Sequence, residues 1–179
     1  MALTARYAHT NLVALDWRAL ARFYQEVFGC TPVPPERDYA GPLLEAGTGI
    51  RGARLRGAHL RLPGFGEDGP TLEIFQYEPR EEHAPPAVNR PGYGHIAFAV
   101  DDVPQARAAV LAAGGRAVGE VVTLATSDGR RVTWCYVTDP EGNIIELQAW
   151  AGLRGRASSD VARCPLASLA GRGRQSDVV

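Results

Sequence analysis

The sequence predicts an α+β fold made of two βαβββ modules that follow each other along one chain. In each half, a histidine lies in an apolar stretch and an aspartate follows seven residues later; an amphipathic run and a glycine come next. The same residue types recur at an offset of 86 positions, which pairs Tyr7–His9 with Tyr93–His95, Asp16 with Asp102, and Gly29 with Gly115. A repeat of this length indicates a duplicated structural unit.

One helix is predicted in each half. In the first half, apolar side chains recur at helical spacing and form one stripe: Trp17, Leu20, Phe23, Tyr24, Val27 and Phe28. Asp16 is placed to cap this helix and Gly29 to end it. In the second half the stripe is Val103, Ala106, Val110 and Ala113. Asp101 or Asp102 is expected to cap that helix, and Gly114-Gly115 to close it.

Three strands are expected after each helix, because turn signals containing glycine or proline separate short apolar segments. The predicted strands are Thr31–Pro35, Ala53–Leu62, Thr71–Tyr77, Arg116–Glu120, Arg131–Val137 and Asn143–Trp150. A short helical turn is predicted at Pro42–Ala46. The first module thus spans residues 1–78 and the second 93–150, with a proline-rich linker at 79–92. Residues 151–179 are expected to form a mobile tail rich in alanine, glycine and arginine.

Composition excludes several classes of function. The formal net charge of −1 gives no general attraction to nucleic acid or anionic lipid. No apolar run is long enough to span a membrane, and the N-terminus lacks the apolar core of a signal peptide, so we expect a cytoplasmic protein. Cys30, Cys135 and Cys164 show no CxxC spacing, which argues against a disulfide framework or a thiolate zinc site. All 19 basic residues are arginine, so Schiff-base chemistry is excluded.

Two histidines are predicted to point to the same side of their modules. Side chains alternate across a strand. In the first strand of the second half, Ile96 and Phe98 share the face that packs beneath the helix, and His95 shares the other face with small alanines. In the first half, Leu12 and Ala14 similarly oppose His9.

Two glutamates repeat this pattern in the last strand of each module. Glu73 lies between Leu72 and Ile74, and Glu146 lies between two branched apolar residues in the same way. Because the apolar neighbours face the helices, both carboxylates face the opposite side. A carboxylate there is costly unless it is paired, protonated or bound to a cation.

We therefore predict that His9, Glu73, His95 and Glu146 bind one divalent transition metal. Imidazole and carboxylate ligands suit zinc, nickel, cobalt, manganese or ferrous iron. The alternative is two packed histidines and two glutamates that reach solvent, but the same residue types at matching places in both halves favour a shared ion.

His59 either reaches the same cavity, beside Trp134 or Tyr136 of the matching strand, or is a packed structural histidine.

These motifs resemble the vicinal oxygen chelate superfamily, which includes glyoxalase I, methylmalonyl-CoA epimerase, extradiol dioxygenases and bleomycin-binding proteins. The resemblance covers about residues 5–150 and rests on the histidine of the first strand, the helix end Phe28-Gly29, Leu72–Phe75, Gly94–Phe98 and Asp139–Glu146. It implies paired βαβββ modules that form a curved mixed sheet around a metal. The ligand order His, Glu, His, Glu matches glyoxalase I; in the epimerase an amide commonly replaces the first carboxylate.

The resemblance implies a metal-dependent lyase or isomerase that abstracts a proton next to a metal-chelated carbonyl of a small molecule or thioester. Glu146 is the expected general base, with Glu73 as ligand or second base. One alternative is an iron-dependent dioxygenase that uses His9, His95 and Glu146. Another is a resistance protein that binds a small molecule without turnover. A homodimer is expected, and the sequence leaves open whether one chain or two complete the site.

Overall fold

The computed structural model describes residues 3–82 and 84–151. The first module contains, in order, β1 (His9–Val13), α1 (Trp17–Phe28), β2 (Thr31–Ala40), α2 (Pro42–Thr48), β3 (Arg54–Arg61) and β4 (Thr71–Glu78). Its four strands form a sheet in the order β1-β4-β3-β2. β1 and β4 are parallel and the other pairs are antiparallel, so β1 lies at one edge of this sheet.

The second module repeats this arrangement with one additional strand. It contains β5 (Ile96–Ala99), α3 (Val103–Ala112), β6 (Arg116–Ala117), β7 (Val122–Ala125), β8 (Arg131–Thr138) and β9 (Ile144–Ala151). The strand order is β5-β9-β8-β6, with β7 also paired to β8. The parallel edge strand β5 is the counterpart of β1. The predicted α+β class and both βαβββ patterns are confirmed, although the strands form two mixed sheets and not one continuous sheet.

Both main helices begin and end at the predicted residues. The Asp16 side chain accepts hydrogen bonds from the backbone N–H groups of Arg18 and Ala19, and Gly29 ends α1 in the left-handed conformation at φ 68°. Asp102 caps α3 by accepting from the N–H of Gln105. Gly114, at φ 93°, follows the end of that helix.

Several elements differ from the sequence prediction, and β5 begins at Ile96, one residue after His95. β2 continues past Pro35 to Ala40, because a register shift between Val33 and Arg37 lets the chain resume pairing with β3. The helical turn predicted at Pro42–Ala46 extends to Thr48. β6 ends at Ala117, where the next two N–H groups both approach the carbonyl of Tyr136, and β7 then pairs with β8 as a separate strand.

The modules share one core on the helical side of the two sheets. The buried cluster draws residues from both modules, among them Leu20, Ile74, Phe98 and Ile145. The Phe28 ring of α1 stacks on Phe98 of β5 with ring centroids 4.0 Å apart. Because the helical faces are used to join the modules, the opposite face of each sheet is left for the predicted site.

Within residues 3–82 and 84–151, no helix is long and apolar enough to cross a membrane. The predicted tail, apart from Ala151 at the end of β9, lies outside the described residues, as do Cys164 and His83.

Candidate active site

The first half of the candidate site lies on the open face of β1 and β4. In β1, Leu12 is buried beneath the helix, and the side chain of His9 is 47% exposed on the other face. Glu73 lies opposite Asn11 in the parallel pairing of β1 and β4. The predicted orientation is confirmed here, because Leu72 and Ile74 are fully buried on the helical side.

Glu73 is surrounded by polar side chains. Its Oε2 atom lies 3.4 Å from His9 Nε2 and accepts a 3.4 Å hydrogen bond from Asn11 Nδ2. Its Oε1 atom lies 3.3 Å from His59 Nε2. Only 11% of the Glu73 side chain is exposed, and these neighbours compensate for the burial of the carboxylate. His59 therefore contacts a predicted site residue, although its neighbours are Glu73 and Phe75 of its own module and not Trp134 or Tyr136.

The second half of the site repeats the histidine–glutamate pair. His95 directly precedes β5, and its Nε2 atom lies 3.2 Å from Oε2 of Glu146 on β9. The Tyr136 ring lies against His95 with centroids 5.1 Å apart. Burial, followed by the charge of Glu146, raises the pKa of Tyr136. Ile145 and Leu147 are fully buried on the helical side. Glu146 is therefore directed to the open face, as predicted.

Register explains why the two half-sites have the same form. His59 of β3 is the antiparallel partner of Glu73, and Tyr136 of β8 is the antiparallel partner of Glu146. Each glutamate thus has a histidine on one side, His9 at the start of β1 or His95 just before β5, and a polar ring from the neighbouring strand on the other. The two half-sites differ at this ring, which is an imidazole in one and a phenol in the other.

A single chain does not bring the four predicted ligands together. They form two separate pairs, His9 with Glu73 and His95 with Glu146. Among the described residues, no group of three or more histidine, cysteine, aspartate or glutamate side chains is arranged to hold a metal ion. The reason is topological, because β1 and β5 belong to different sheets and are not hydrogen bonded to each other. Of the two arrangements that the sequence leaves open, a site completed within one chain is therefore not present among the described residues.

The donor chemistry of each pair nevertheless fits a divalent cation. Each half-site offers one imidazole nitrogen and one carboxylate oxygen on an open face. Two such halves supply two neutral and two anionic donors, which is a ligand set suited to zinc and neighbouring transition metals. The buried thiols contribute nothing to the site: burial raises the pKa of Cys30 to about 11 and raises the pKa of Cys135.

A cavity of about 510 Å³ adjoins the first half-site. It is lined by Asn11, Val13, Thr48, Ile50, Tyr77, Pro79, Arg80 and Glu81. Asn11 connects the cavity to Glu73, and Tyr77 follows Glu73 on the same face of β4. Burial, followed by the charge of Glu73, raises the pKa of Tyr77. The cavity is mainly apolar, with an arginine and an acid at its rim, and is large enough for a small organic molecule.

Asn11 and Tyr77 were not singled out as site residues from the sequence, and Tyr136 was named only as a possible neighbour of His59. Asn11 lies on the same face of β1 as His9, and Tyr77 lies on the same face of β4 as Glu73. The alternation of side chains along a strand is therefore the sequence signal that identifies them. The contact of Tyr136 with Glu146 depends on the pairing of β8 with β9, which is a long-range property.

Comparison with known proteins identifies the family to which this fold belongs. The family model described as the Glyoxalase/Bleomycin resistance protein/Dioxygenase superfamily matches residues 6–147. A glyoxalase family protein from Bacillus cereus is 22% identical, with a TM-score of 0.65, and the match covers 85% of this chain and 97% of that one. None of the curated proteins is significantly similar in sequence.

Two further solved structures share the fold. A glyoxylase/bleomycin resistance protein/dioxygenase domain from Frankia is 16% identical, with a TM-score of 0.54, over 82% of this chain and 98% of that one. A glyoxalase I variant from Zea mays is 19% identical, with a TM-score of 0.53, over 79% of this chain and 45% of that one. At these identities the likeness concerns the fold alone.

Proposed function

Since this chain belongs to the glyoxalase/bleomycin resistance protein/dioxygenase superfamily, we propose that it is a metal-dependent lyase or isomerase that removes a proton next to a carbonyl group of a small molecule. The observation that supports this proposal is the pair of equivalent half-sites, each with a histidine and a glutamate on an open sheet face. Two carboxylates and two imidazoles offer both metal ligands and a general base.

A homodimer would complete the site. β1 and β5 each lie at a sheet edge, and the residues at the end of β1 are open to solvent, with Val13 54% and Leu15 56% exposed. Ala97 and Ala99 are exposed on the matching face of β5. If the first module of one chain faces the second module of another, both edges are covered and the two half-sites meet. Twofold symmetry then creates two identical sites for each dimer.

A bound divalent ion would supply positive charge that stabilises the enolate formed when the proton leaves, by several kcal/mol. His9 and His95 would hold the ion through neutral imidazole nitrogens. Glu73 would serve as a permanent ligand. Of the two carboxylates, Glu73 is the more enclosed, since 11% of its side chain is exposed against 18% for Glu146.

Glu146 is the better candidate for the general base. It has one imidazole neighbour, whereas Glu73 has two and an amide besides. A carboxylate with fewer partners is freer to swing toward a substrate carbon and accept a proton. Tyr136, the antiparallel partner of Glu146 on β8, would limit the movement of the carboxylate between turnovers. The 510 Å³ cavity beside Glu73 would receive the part of the substrate that does not react.

Metal analysis together with solvent exchange tests this proposal. Protein purified without added metal should contain zinc, nickel, cobalt or manganese. When it is incubated in deuterium oxide with small 2-oxo compounds, hemithioacetals or thioesters, deuterium should enter at the carbon next to the carbonyl. A chelator should stop the exchange and divalent metal should restore it. Metal-free protein that does not bind added divalent metal would contradict the proposal.

An iron-dependent dioxygenase is the second candidate, and the surroundings of Glu73 favour it. If its three polar neighbours keep Glu73 away from the ion, then His9, His95 and Glu146 remain as a set of two histidines and one carboxylate, which suits ferrous iron. Oxygen consumption with a catechol after anaerobic loading of ferrous iron would support this candidate. Tight binding of a small molecule that a chelator does not affect would instead indicate a resistance protein without turnover.

A further inference from the structure

His59 contacts the candidate site but has no role in the proposed reaction. It lies at the centre of β3, directly opposite Glu73 on β4. Its Nε2 atom is 3.3 Å from Oε1 of Glu73, whereas His9 approaches Oε2. The two imidazoles therefore lie next to different oxygens of one carboxylate, and Asn11 donates to the same Oε2 atom that His9 approaches.

The surroundings of His59 restrict the movement of its imidazole ring. Only 22% of its side chain is exposed. The Phe75 ring lies edge-on to it, with centroids 5.5 Å apart and planes at 64°. β3 is an inner strand, hydrogen bonded to β2 on one side and to β4 on the other, so the backbone at this position is also constrained. An imidazole held in this way can fix the direction of the carboxylate that it touches.

The second half-site lacks this feature. At the equivalent position of β8, Tyr136 is the partner of Glu146. Glu146 is approached by one imidazole, from His95. Two exchanges distinguish the surroundings of the two carboxylates. Histidine is exchanged for tyrosine on the neighbouring strand, and Asn11, which donates to Glu73, is exchanged for Ala97, which lies opposite Glu146.

We propose that His59 is a positioning residue that ties Oε1 of Glu73 and leaves Oε2 as the single oxygen offered to the metal. This inference rests on the proposed function. It assigns unequal tasks to the two glutamates: Glu73 is held as a fixed ligand, and Glu146 remains the carboxylate that moves.

The physical basis is the orientation of a metal ligand by a neighbouring hydrogen bond. An N–H group that donates to the second oxygen of a carboxylate restricts its rotation, so less freedom is lost when the first oxygen binds an ion. Loss of such a partner typically reduces metal affinity by about 10–100-fold. The distance of 3.3 Å is slightly longer than an optimal N–H···O bond. Contacts of this kind often shorten when the site is filled.

Three substitutions test the role of His59. His59→Phe keeps a ring of similar shape without a donor, His59→Leu removes both ring and donor, and His59→Gln keeps an N–H group near the position of Nε2. Zinc affinity is measured on the full chain by competition with a chromophoric chelator. We expect His59→Phe and His59→Leu to weaken zinc binding about 10–100-fold, and His59→Gln to recover most of that loss. Thermal denaturation of the metal-free proteins shows whether each variant is folded.

The outcomes separate this inference from the proposed function. If the unaltered protein binds no zinc, the proposed function and the inference both fail. If it binds zinc and folded His59→Phe and His59→Leu bind equally well, the positioning role alone is overturned. Equal losses in all three variants, without recovery in His59→Gln, would also overturn it, because they would show a requirement for imidazole itself and not for a donated hydrogen bond. Should His59→Phe fail to fold, the comparison between the leucine and glutamine variants decides.

Discussion

The hydroxyl of Tyr24 donates a 3.1 Å hydrogen bond to Oδ2 of Asp139 and thereby connects the helix of one module to the turn before the last strand of the other. Both side chains are fully buried. Asp139 also accepts from the backbone N–H groups of Glu141 and Asn143 and from the Asn143 side chain. The next residue but one, Glu141, accepts the N–H groups of Leu15 and Asp16 before α1. The turn thus links the two modules through polar as well as apolar contacts.

Tyr24→Phe should lower the free energy of unfolding by about 1–3 kcal/mol, because it removes the donor of a hydrogen bond to a buried carboxyl group and leaves the ring packing intact. Urea denaturation followed by circular dichroism measures the change. Tyr39→Phe is the matched control, because Tyr39 is exposed on β2 and its loss should have little effect. Equal stability of Tyr24→Phe and the unaltered protein would show that the bond contributes nothing.

Asp139 should make stability depend on pH. Burial raises the pKa of its carboxyl above the ordinary value of 3.8, and the hydrogen bonds from Asn143, Tyr24 and Glu141 partly oppose this shift. Because the folded-state pKa is raised, the contribution of Asp139 to stability is fully present below about pH 3.8 and is lost as pH rises through the folded-state pKa.

The stability advantage of the unaltered protein over Asp139→Asn should therefore shrink as pH increases. Urea denaturation of both proteins over a series of pH values from 3.5 to 8 measures it, since titrations shared by the two proteins cancel in the difference. An advantage that grows with pH would show that the hydrogen bonds outweigh burial.

His9→Ala and His95→Ala should complement each other if the site lies between two chains. Each variant alone has a defect in both sites of its dimer. A mixed dimer has one site with both defects and one intact site, so random mixing of equal amounts should restore about a quarter of the original activity. Unfolding and refolding the mixture allows the chains to exchange. Recovery that does not exceed the sum of the separate variants would place the site within one chain.

Glu146→Gln should abolish deuterium exchange and retain most of the zinc affinity, because the amide can still ligate but cannot accept the proton. A loss of about 10²–10⁴-fold is expected for a general base. Glu73→Gln should instead weaken zinc binding more than it slows exchange at saturating metal. If Glu146→Gln exchanges at the original rate, the base is another group.

Cys30 and Cys135 should resist alkylation in the native protein. Both thiols are buried, and burial raises both pKa values, that of Cys30 to about 11, so little reactive thiolate is present. Iodoacetamide treatment at pH 7.5 followed by peptide mass spectrometry measures modification at each position. Treatment in urea is the positive control, and rapid native labelling of either position would contradict its burial.

The sequence predicts well what depends on local periodicity. The Asp16 and Asp102 caps and the direction of Glu73 and Glu146 all follow from spacing within one element. Contacts between residues on different strands depend on strand pairing, which the local spacing of residues does not predict. The contact between His59 and Glu73 requires a particular register of β3 on β4, and β7 pairs separately because the chain after Ala117 bends around one carbonyl of Tyr136.

The internal repeat in the sequence also does not predict how one module packs against the other. Equivalent positions in two halves predict equivalent half-sites, and these are present. Whether the half-sites meet within one chain depends on which surfaces of the modules pack together. Here the stacking of Phe28 on Phe98 joins the helical faces, a contact between two residues that are not equivalent in the repeat.

The stacking of Phe28 on Phe98 makes each module dependent on the other for the burial of its aromatic side chains. Either half made separately would leave part of an aromatic cluster in water, with Tyr24 and Phe28 on one fragment and Phe98 on the other. We therefore expect a fragment that contains only one module to be less stable and less soluble than the full chain.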